Sequence, residues 1–544
     1  LEKIGNKKFS LHHASYQEFP KILSKLGIDK VNGFLFDLGI SSYQIDSEHR
    51  GFSYMKEGPL DMRFNPQGEK TAKDVLLEIS ETDLIDILQT YAEIGKAGKI
   101  AKQIIHERNR KNMKLCMIGT GYVGLVSGTC FSDLGNNVIC ADIDKIKINK
   151  LNSGIIPIFE PGLQELVKKN FEQKRLSFTT DIKSAIKKSD IVFICVGTPT
   201  NKRTNSANLK YVFQVAKLIK NNLNKYKIIV TKSTVPVTTG DKIEKILSSL
   251  KNRNKFDVIS NPEFLREGEA IRDFIYPDRV VIGTHNKKAN KVMKSLYLPI
   301  IKKSSRYFNT SRRGAELIKY ASNAFLATKI SFINEMSNLC EKANIDIKDV
   351  SFGIGSDQRI GERFLRAGPG YGGSCFPKDT RAIVTLAKKF KTNLSIIKSV
   401  INSNEYRTKL LLSRITGIMK NKFKNKNITF LGVTFKPNTD DMRESPSLSL
   451  IPMLIRKGAT IRYYDPTGEK ENFTNYKKVK FSNSILSACK NTDLIILHTE
   501  WNEFKQLNFK KLVKKRNFKI YDLRNLYSPE RMKKNNIIYF GIGR

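Results

Sequence analysis

Lys114-Leu115-Cys116-Met117-Ile118-Gly119-Thr120-Gly121-Tyr122-Val123-Gly124 reads as a short apolar strand running into a glycine-rich turn. An apolar helical stretch follows to about Leu134, and Val138–Ala141 forms the next strand-like run. Asp142 closes that run, 18 residues beyond Gly124. This is a G-x-G-x-x-G in the context it requires, with a strand before it, a helix after it and an acid at the end of the second strand. Gly119, Gly121 and Gly124 permit the tight turn and let backbone approach a pyrophosphate seated on a helix N-terminus. Asp142 can bond both ribose hydroxyls of a dinucleotide, and its charge repels a 2′-phosphate, so NAD is favoured over NADP.

Further βα units follow. Ile191–Val196 runs into Gly197-Thr198-Pro199-Thr200, Lys227–Thr231 into Lys232-Ser233-Thr234-Val235-Pro236, and Phe256–Ser260 into Asn261-Pro262-Glu263-Phe264-Leu265-Arg266-Glu267-Gly268. Each places polar residues at a strand's C-terminal end, where a doubly wound sheet holds its ligand. From Ser311 to about Arg407 the pattern turns helical, and the breaker-poor run Ala315–Asn344 suits a long connecting, dimer-forming helix. Lys319 and Asn323 stand at i, i+4 on one face of it. In the same segment, Gly372-Gly373-Ser374-Cys375-Phe376-Pro377-Lys378-Asp379-Thr380 sets one cysteine in a glycine-rich turn ahead of a lysine and an aspartate. A thiolate there is a candidate nucleophile. After Asn427 the α/β pattern restarts with Ile428–Val433, Thr460–Tyr464 ending at Asp465, and Leu494–His498.

Composition narrows the class. The 544 residues carry a formal net charge of +43. Residues 1–112 are nearly balanced, with 17 Lys+Arg against 16 Asp+Glu, so almost all of the excess lies beyond them. There it is spread as single lysines and short clusters such as Lys420–Lys426 and Lys514–Arg516, without an aromatic-interleaved basic stripe. That favours a lysine-rich surface, with some pull on an anionic substrate, over a nucleic-acid binder. The 7 cysteines are odd in number and never spaced C-x-x-C, and the 6 histidines are scattered, which argues against a disulfide framework or a metal site. No apolar run approaches the roughly 18–20 residues of a membrane span, and no charged-then-apolar signal opens the chain, so a cytoplasmic enzyme is expected.

The chain divides near residue 112, and Met113 reads as a start of its own, whereas the chain itself opens on Leu1. The first piece reads as a helix (Tyr16–Leu26), a strand (Gly33–Phe36) ending at Asp37, two amphipathic helices and a basic helix (Gly98–Arg110). Its runs Phe36-Asp37-Leu38-Gly39-Ile40-Ser41-Ser42-Tyr43-Gln44, Arg50-Gly51-Phe52-Ser53 and Gly58-Pro59-Leu60-Asp61-Met62-Arg63 resemble the H-type family of ribosomal RNA cytosine-N4 methyltransferases. In that family the positions of Asp37 and Gln44 contact S-adenosylmethionine. The family's N-terminal glycine-rich cofactor loop and its C-terminal part are absent, so the piece is expected to be a catalytically dead fragment, a fusion or gene-boundary remnant. S-adenosylmethionine is not expected as a cofactor. Half a sheet also leaves exposed edges and poor burial.

Residues 113–544 resemble the UDP-glucose/GDP-mannose dehydrogenase family. The resemblance rests on the ordered set Gly119–Gly124, Gly197–Thr200, Lys232–Pro236, Asn261–Gly268, Tyr276-Pro277-Asp278-Arg279, Lys319–Phe325, Gly370–Thr380 and Phe435–Ser445. It implies two oxidations of a nucleotide sugar, alcohol to aldehyde to acid, with two NAD per turnover. UDP-glucose is the expected substrate, with GDP-mannose and UDP-N-acetylmannosamine as alternatives. Cys375 would hold the aldehyde as a thiohemiacetal and then a thioester. Lys319 and Asn323 would stabilise oxyanions, Asp379 would direct water, and Thr234, Glu263 and Lys319 would serve the first oxidation. The resemblance assigns NAD to Gly119, Gly121, Tyr122, Val123, Gly124, Asp142, Lys147, Thr198, Thr234, Glu267 and Arg443. It assigns the sugar nucleotide to Glu263, Phe264, Leu265, Arg266, Glu267, Lys319, Asn323, Arg359, the loop from Phe364, Leu365 and Arg366 through Gly370, Tyr371 and Gly372, and Lys436. Arg359 would reach a neighbouring subunit's site, which implies a homodimer or a higher homo-oligomer.

The expected fold is α/β: two Rossmann-like doubly wound domains joined by a long helical segment, preceded by a partial methyltransferase-like α/β fragment. The expected divisions are 1–112, 113–310 (NAD-binding), 311–407 (helical, with the cysteine loop) and 408–544 (UDP-sugar-binding).

Overall fold

The structure is a computed structural model. It describes residues 18–31, 33, 42–53, 55, 58–64, 68, 70–108, 112–201, 203–248, 256–301 and 306–544, without the side chains of 106–108. The chain forms two compact units, residues 1–111 and 112–544. In the first, Phe19–Lys25, Ala72–Glu78, Glu81–Thr90 and Ala97–Arg108 are helices. Thr71 opens the second of these with a reciprocal cap, its hydroxyl accepting from Asp74 N while the Asp74 carboxylate accepts from Thr71 N. Among the described hydrophobic residues of this unit, Leu84, Ala97 and Ala101 are buried, whereas Tyr43, Met55, Phe64, Leu77 and Tyr91 are exposed. Residues 34–39, which carry most of the expected strand together with Asp37, lie outside the described residues.

The second unit holds two sheets. The first has the order β3-β2-β1-β4-β5-β6-β7-β8. Its strands are β1 (Lys114–Ile118), β2 (Asn137–Ala141), β3 (Leu176–Thr179), β4 (Ile191–Ile194), β5 (Lys227–Thr231), β6 (Phe256–Ser260), β7 (Arg279–Gly283) and β8 (Arg306–Thr310). Pairing is parallel from β3 through β6; β7 meets β6 antiparallel at Ser260 and Gly283 and then pairs parallel with β8. The second sheet has the order β11-β10-β9-β12-β13-β14. It comprises β9 (Asn427–Leu431), β10 (Thr460–Tyr464), β11 (Val479–Phe481), β12 (Leu494–Leu497), β13 (Lys519–Asp522) and β14 (Ile538–Gly541), all parallel. Both sheets thus reverse direction of growth beside their first strand, which makes the crevice where doubly wound folds take ligands.

Central strands are apolar end to end because helices cover both faces. Ile191–Ile194 and Leu494–Leu497 are buried at every residue. The helix Tyr122–Asp133 lies close on the first sheet because small residues face it: a Cβ at Gly128 would stand 2.6 Å from Cys140 Sγ and 3.0 Å from Met117 Cγ. Between the sheets runs the 32-residue helix Arg312–Ala343, about 48 Å long. Ser311 caps its start by accepting from Gly314 N, and Asn344 ends it in the left-handed region at φ 55°. Glu316, Lys319, Tyr320, Asn323 and Ala327 make its buried stripe.

The division expected after Arg407 falls inside one continuous helix, Ser395–Ile418. Leu411 and Ile415 near its end are buried in the core of the second sheet with Ile428 and Phe430, so the helix joins the segments and no linker stands there. No helix among the described residues is long and apolar enough to cross a membrane. None of their His, Cys, Asp and Glu side chains form a group of three that could hold a metal ion.

Replacing Gly128 by Val should overpack the helix–sheet contact and cost about 1–3 kcal/mol. Thermal unfolding should then begin several degrees lower than in the native protein; an unchanged midpoint would show that the helix can lift away freely.

Candidate active site

Gly121 is the N-cap of the helix Tyr122–Asp133, and no side chain caps that end. A Cβ at Gly121 would meet nothing within 4 Å, whereas one at Gly124 would stand 1.9 Å from Gly119 O. The turn is therefore closed on its inner side and open outward, with free helix N–H groups facing the opening; an anionic pyrophosphate fits that arrangement. Beside it, Asp142 Oδ2 accepts from Thr120 N at 2.8 Å and Thr120 Oγ1 at 2.9 Å, and Oδ1 accepts from Asp144 N at 3.1 Å. Lys147 Nζ stands 3.5 Å away. Burial pushes the Asp142 carboxyl up, but these donors and Lys147 outweigh it and hold it below the ordinary carboxylate range. Asp142 is thus a fixed anion at the strand end, as a ribose-binding carboxylate must be. Tyr122 donates to Glu160, and Glu160 in turn accepts from Gly268 N at 2.6 Å and Ala270 N at 2.7 Å. The nucleotide loop is so tied to the Asn261–Gly268 loop. Across the opening, Thr198 Oγ1 donates to Thr234 O at 2.9 Å, and the Thr234 side chain is half-buried.

The reactive cluster lies where the first sheet, the long helix and the cysteine loop meet. Cys375 is the N-cap of the helix Phe376–Lys389 and the one half-buried cysteine; the other six are buried. Lys319 Nζ pairs with Glu263 Oε1 at 3.1 Å, both side chains being 5% exposed. It also stands 5.2 Å from the centre of the Phe264 ring. Burial favours neutral Lys319, but Glu263, with Cys375 and Asp379, overcomes it and raises its pKa above the ordinary lysine value. One turn along, Asn323 Nδ2 donates to Asp379 Oδ2 at 2.6 Å, and Lys378 Nζ binds Asp379 Oδ1. Burial pushes the Cys375 thiol up, Glu263 and Asp379 add to that, and Lys319 and Ser374 oppose it, leaving the thiol above its ordinary value.

The second sheet supplies the other wall. Gly373 N donates to Arg443 O at 2.8 Å. A Cβ at Gly372 would lie 2.4 Å from Glu444 O, and one at Gly373 2.7 Å from the Phe435 ring. Only glycine lets the cysteine loop sit this near the Phe435–Ser445 segment, and Gly373 also holds φ at +79°. Glu267 Oε1 accepts from Ser374 Oγ at 3.1 Å and Arg443 Nη2 at 3.3 Å. Burial and the facing Asp441 push the Glu267 carboxyl up to about 7, against Arg443 and Lys436. Lys436 is itself held below the ordinary lysine value, chiefly by burial.

The loop Phe364–Gly372 is fixed from beneath. Asn334 Oδ1 accepts from Gly368 N at 2.8 Å, Arg407 Nε donates to Gly368 O at 3.1 Å, and Asn404 Oδ1 accepts from Tyr371 N at 2.9 Å. Leu365 and Tyr371 are buried, and Phe364 packs on Phe376. Arg366 points outward near Glu500. Arg266 is bound to Asp273 at 2.7 Å, and its ion pairs raise its pKa.

Arg359 stands apart from this cluster: its side chain is 89% exposed and pairs with Asp357. The structure thus gathers Cys375, Lys319, Asn323, Asp379, Glu263, Glu267, Arg443 and Lys436 and leaves Arg359 outside. Gln44 belongs to the other unit, in the short helix Ser42–Asp46.

Three partners were given no role by the sequence reading. Lys232 is fully buried, donating to Asn261 Oδ1 at 3.3 Å and Tyr297 OH at 3.2 Å, and burial lowers its pKa to about 8. Its signal was its place directly after β5. Ser374 was visible only as the neighbour of Cys375, and Glu160 lies in a loop with no motif of its own.

The profile for the UDP-glucose/GDP-mannose dehydrogenase family, NAD binding domain, matches residues 113–301; the central domain matches 313–406 and the UDP binding domain 429–529. Residues 1–117 match the MraW methylase family. A UDP-glucose 6-dehydrogenase of Rhizobium meliloti (strain 1021) is 46% identical over 437 residues, covering 79% of this chain and 100% of that protein. The UDP-glucose 6-dehydrogenase TuaD of Bacillus subtilis (strain 168) is 47% identical over 436 residues, covering 79% and 93%. Among solved structures, a UDP-glucose dehydrogenase from the archaeon Pyrobaculum islandicum superposes with TM-score 0.74 at 32% identity, covering 80% of this chain and 99% of that one.

Glu263→Gln should leave Lys319 buried without a counter-charge and destabilise the fold by about 3–5 kcal/mol at neutral pH. In the native protein the raised Lys319 pKa gives stability that is complete below the unfolded lysine value and lost as pH rises through the folded one. In the variant, burial is opposed only by Cys375 and Asp379, and with its direct partner gone the folded pKa drops below the unfolded value. Stability then rises with pH up to the ordinary lysine range. The urea midpoint deficit of the variant should therefore shrink between pH 7 and 9.5; a constant deficit would contradict the pairing.

Proposed function

The chain belongs to the UDP-glucose/GDP-mannose dehydrogenase family, and we propose that it oxidises UDP-glucose to UDP-glucuronate with NAD through a covalent intermediate on Cys375. The observation that carries this reading is the enclosure of one half-buried cysteine by Lys319, Asn323 and Asp379 in a single cluster at the edge of a dinucleotide crevice. The two curated relatives named above, both UDP-glucose 6-dehydrogenases, support the substrate.

NAD, when bound against Gly119–Gly124 and Asp142, takes up the hydrogen and electron pair removed in each oxidation. Glu263 and Lys319 face the alcohol and govern its proton in the first oxidation, with Thr234 beside them. Cys375 then attacks the aldehyde carbon. The resulting alkoxide is met by the Lys319 ammonium and the Asn323 amide. The second oxidation leaves a thioester, which a water directed by Asp379 hydrolyses. Covalent capture keeps the aldehyde from leaving between the two oxidations. Lys436, Arg266 and the loop Phe364–Gly372 are assigned to the UDP moiety, and Glu267 and Arg443 to NAD. No step is assigned to residues 1–112.

We further propose a homodimer built on the long helix. Phe325, Phe332 and Leu339 are exposed at seven-residue spacing on it, which puts them on one face. The exposed Arg359 is the residue proposed to reach a partner's site.

A panel of UDP-glucose, GDP-mannose and UDP-N-acetylmannosamine should give NADH with UDP-glucose alone, at about two NADH per sugar. A ratio near one would indicate an ordinary alcohol oxidation. Cys375→Ser should abolish acid formation, and Asn323→Ala should lower kcat by about 10²–10³, the cost of one oxyanion donor. Phe332→Asp should convert the dimer to monomer in light scattering; a native-sized assembly in that variant would remove the helix from the interface.

A further inference from the structure

Cys375 is expected to act as a thiolate, yet the carboxylates around it are mostly engaged. Glu263 holds Lys319 through Oε1 and accepts from Leu265 N at 2.6 Å through Oε2. Asp379 is bound by Asn323 on one oxygen and Lys378 on the other. Lys319, raised by Glu263, is charged and has no room for a further proton. Glu267 differs. Its Oε1 accepts from Ser374 Oγ at 3.1 Å and Arg443 Nη2 at 3.3 Å, but its buried Oε2 has no hydrogen-bond donor. Ser374 Oγ in turn lies 3.5 Å from Cys375 Sγ. A continuous path Sγ–Oγ–Oε1 therefore joins the thiol to a carboxylate with acceptor capacity to spare.

We propose that Ser374 and Glu267 form a proton relay that takes the Cys375 thiol proton as sulfur attacks and returns it when the thioester is cleaved. The inference rests on the cysteine chemistry proposed above and assigns Ser374 a catalytic role and Glu267 that of a proton acceptor acting through it. On attack, the Sγ proton passes to Ser374 Oγ as the Ser374 hydroxyl proton passes to Glu267 Oε1. The sulfur electron pair forms the C–S bond, and the carbonyl π pair moves onto the oxygen faced by Lys319 and Asn323. After the second oxidation, water attacks the thioester carbon and gives its proton toward Asp379. The C–S bond breaks, its electron pair returns to Sγ, and Glu267 returns the proton through Ser374. The two NAD and the water of the reaction supply the oxidant and the oxygen, and the protons lost by the alcohol, by the water through Asp379 and by the new carboxylic acid pass to solvent.

The surroundings of Glu267 suit a group that gains and loses a proton near neutrality. Asp441 faces it and, with burial, favours the protonated form, while Arg443 and Lys436 favour the anion. Arg443 is shared, since it also binds Asp441 at 2.8 and 2.9 Å. Tyr122, from the nucleotide loop, also feels the Glu267 charge, and the pair with Glu160 and burial keep its phenol neutral. Around the sulfur the charged neighbours are Glu263, Lys319 and Asp379, with Lys436 and Arg443 also within electrostatic reach of it.

The test is iodoacetamide alkylation of Cys375 across pH 6–10, without substrate or NAD, with the Cys375 peptide quantified by mass spectrometry; the other cysteines are buried. The native protein should show two rising steps, the lower one following Glu267. Ser374→Ala and Glu267→Gln should both lose the lower step and react about tenfold more slowly near pH 7.5, one pKa unit's worth of reactivity. Ser374→Thr, which keeps the hydroxyl, should retain it. If Glu267 acted only as a nearby charge, Glu267→Gln would react faster, because removing an anion favours the thiolate; that result, or native profiles in both variants, overturns the relay. The readout needs no nucleotide sugar, so failure of the UDP-glucose assignment, seen as no NADH in the substrate panel, leaves it standing or falling by itself.

Discussion

Lys319 and Glu263 form an ion pair that is almost wholly removed from water, and each charge is tolerable there only because of the other. The pair joins the long helix to the loop after β6. Three residues earlier on the same helix, Glu316 accepts from Thr238 N at 2.8 Å and Gly240 N at 2.7 Å, tying it to the start of the helix Thr239–Ser248. Burial lifts the Glu316 carboxyl to about 7, so this second anchor is costly and depends on its donors. Two directional contacts one turn apart leave the helix little freedom to rotate or slide. Asn323 is consequently fixed one turn further on, and through its bond to Asp379 it fixes the helix that begins at Cys375.

The two sheets share a construction and put it to different uses. In the first, Gly119 N donates to Ala141 O at 2.8 Å and Asp142 receives the N–H of Thr120. In the second, Gly432 N donates to Tyr464 O at 2.8 Å and Asp465 receives Val433 N at 2.9 Å. Asp465 goes further: it also accepts from Thr467 N and Oγ1 and pairs with Lys470, and it is fully buried. Its acceptor capacity is used within the protein, so it braces the loop. Asp142 retains exposure and outward capacity. The second sheet's contribution to the site comes instead from the Phe435–Ser445 segment, pressed against Gly372 and Gly373.

The glycine turn, the acid after β2 and the strand ends were legible because each depends on local chemistry: a tight turn needs glycine, and a doubly covered strand needs an unbroken apolar run. β5, β6 and β10 fall where their apolar runs do, at Lys227–Thr231, Phe256–Ser260 and Thr460–Tyr464. The strands β3, β7, β8, β11, β13 and β14 were not read. Of these, β3, β8, β11 and β14 are partly exposed, as in the alternating burial of Ile538–Gly541, and three to five mixed residues do not distinguish a strand from a loop; β7 and β13 are mostly buried, but runs of five and four residues cannot be told from a buried loop or helix segment. In the site, Cys375, Lys319 and Asn323 were legible from residue type and helical spacing. Lys232 and Ser374 were not given roles, because their significance lies in partners 29 and more residues away: Asn261 and Tyr297 for one, Glu267 for the other.

Burial shapes the cysteine's chemistry in two opposing ways. It keeps the thiol protonated, since the charged form loses its hydration. It also strengthens every interaction a charge can make there, because the surrounding groups are not screened by water. A resting Cys375 is therefore a weak nucleophile and a poor target for adventitious oxidation, which requires the thiolate. Once sulfur gives up its proton, charge passes to the substrate oxygen, and the Lys319 ammonium and Asn323 amide already stand in fixed positions. The ion pair that locks the long helix thus also sets the electrostatics of the reacting sulfur. A change in the Lys319–Glu263 geometry would act on stability and on cysteine reactivity together.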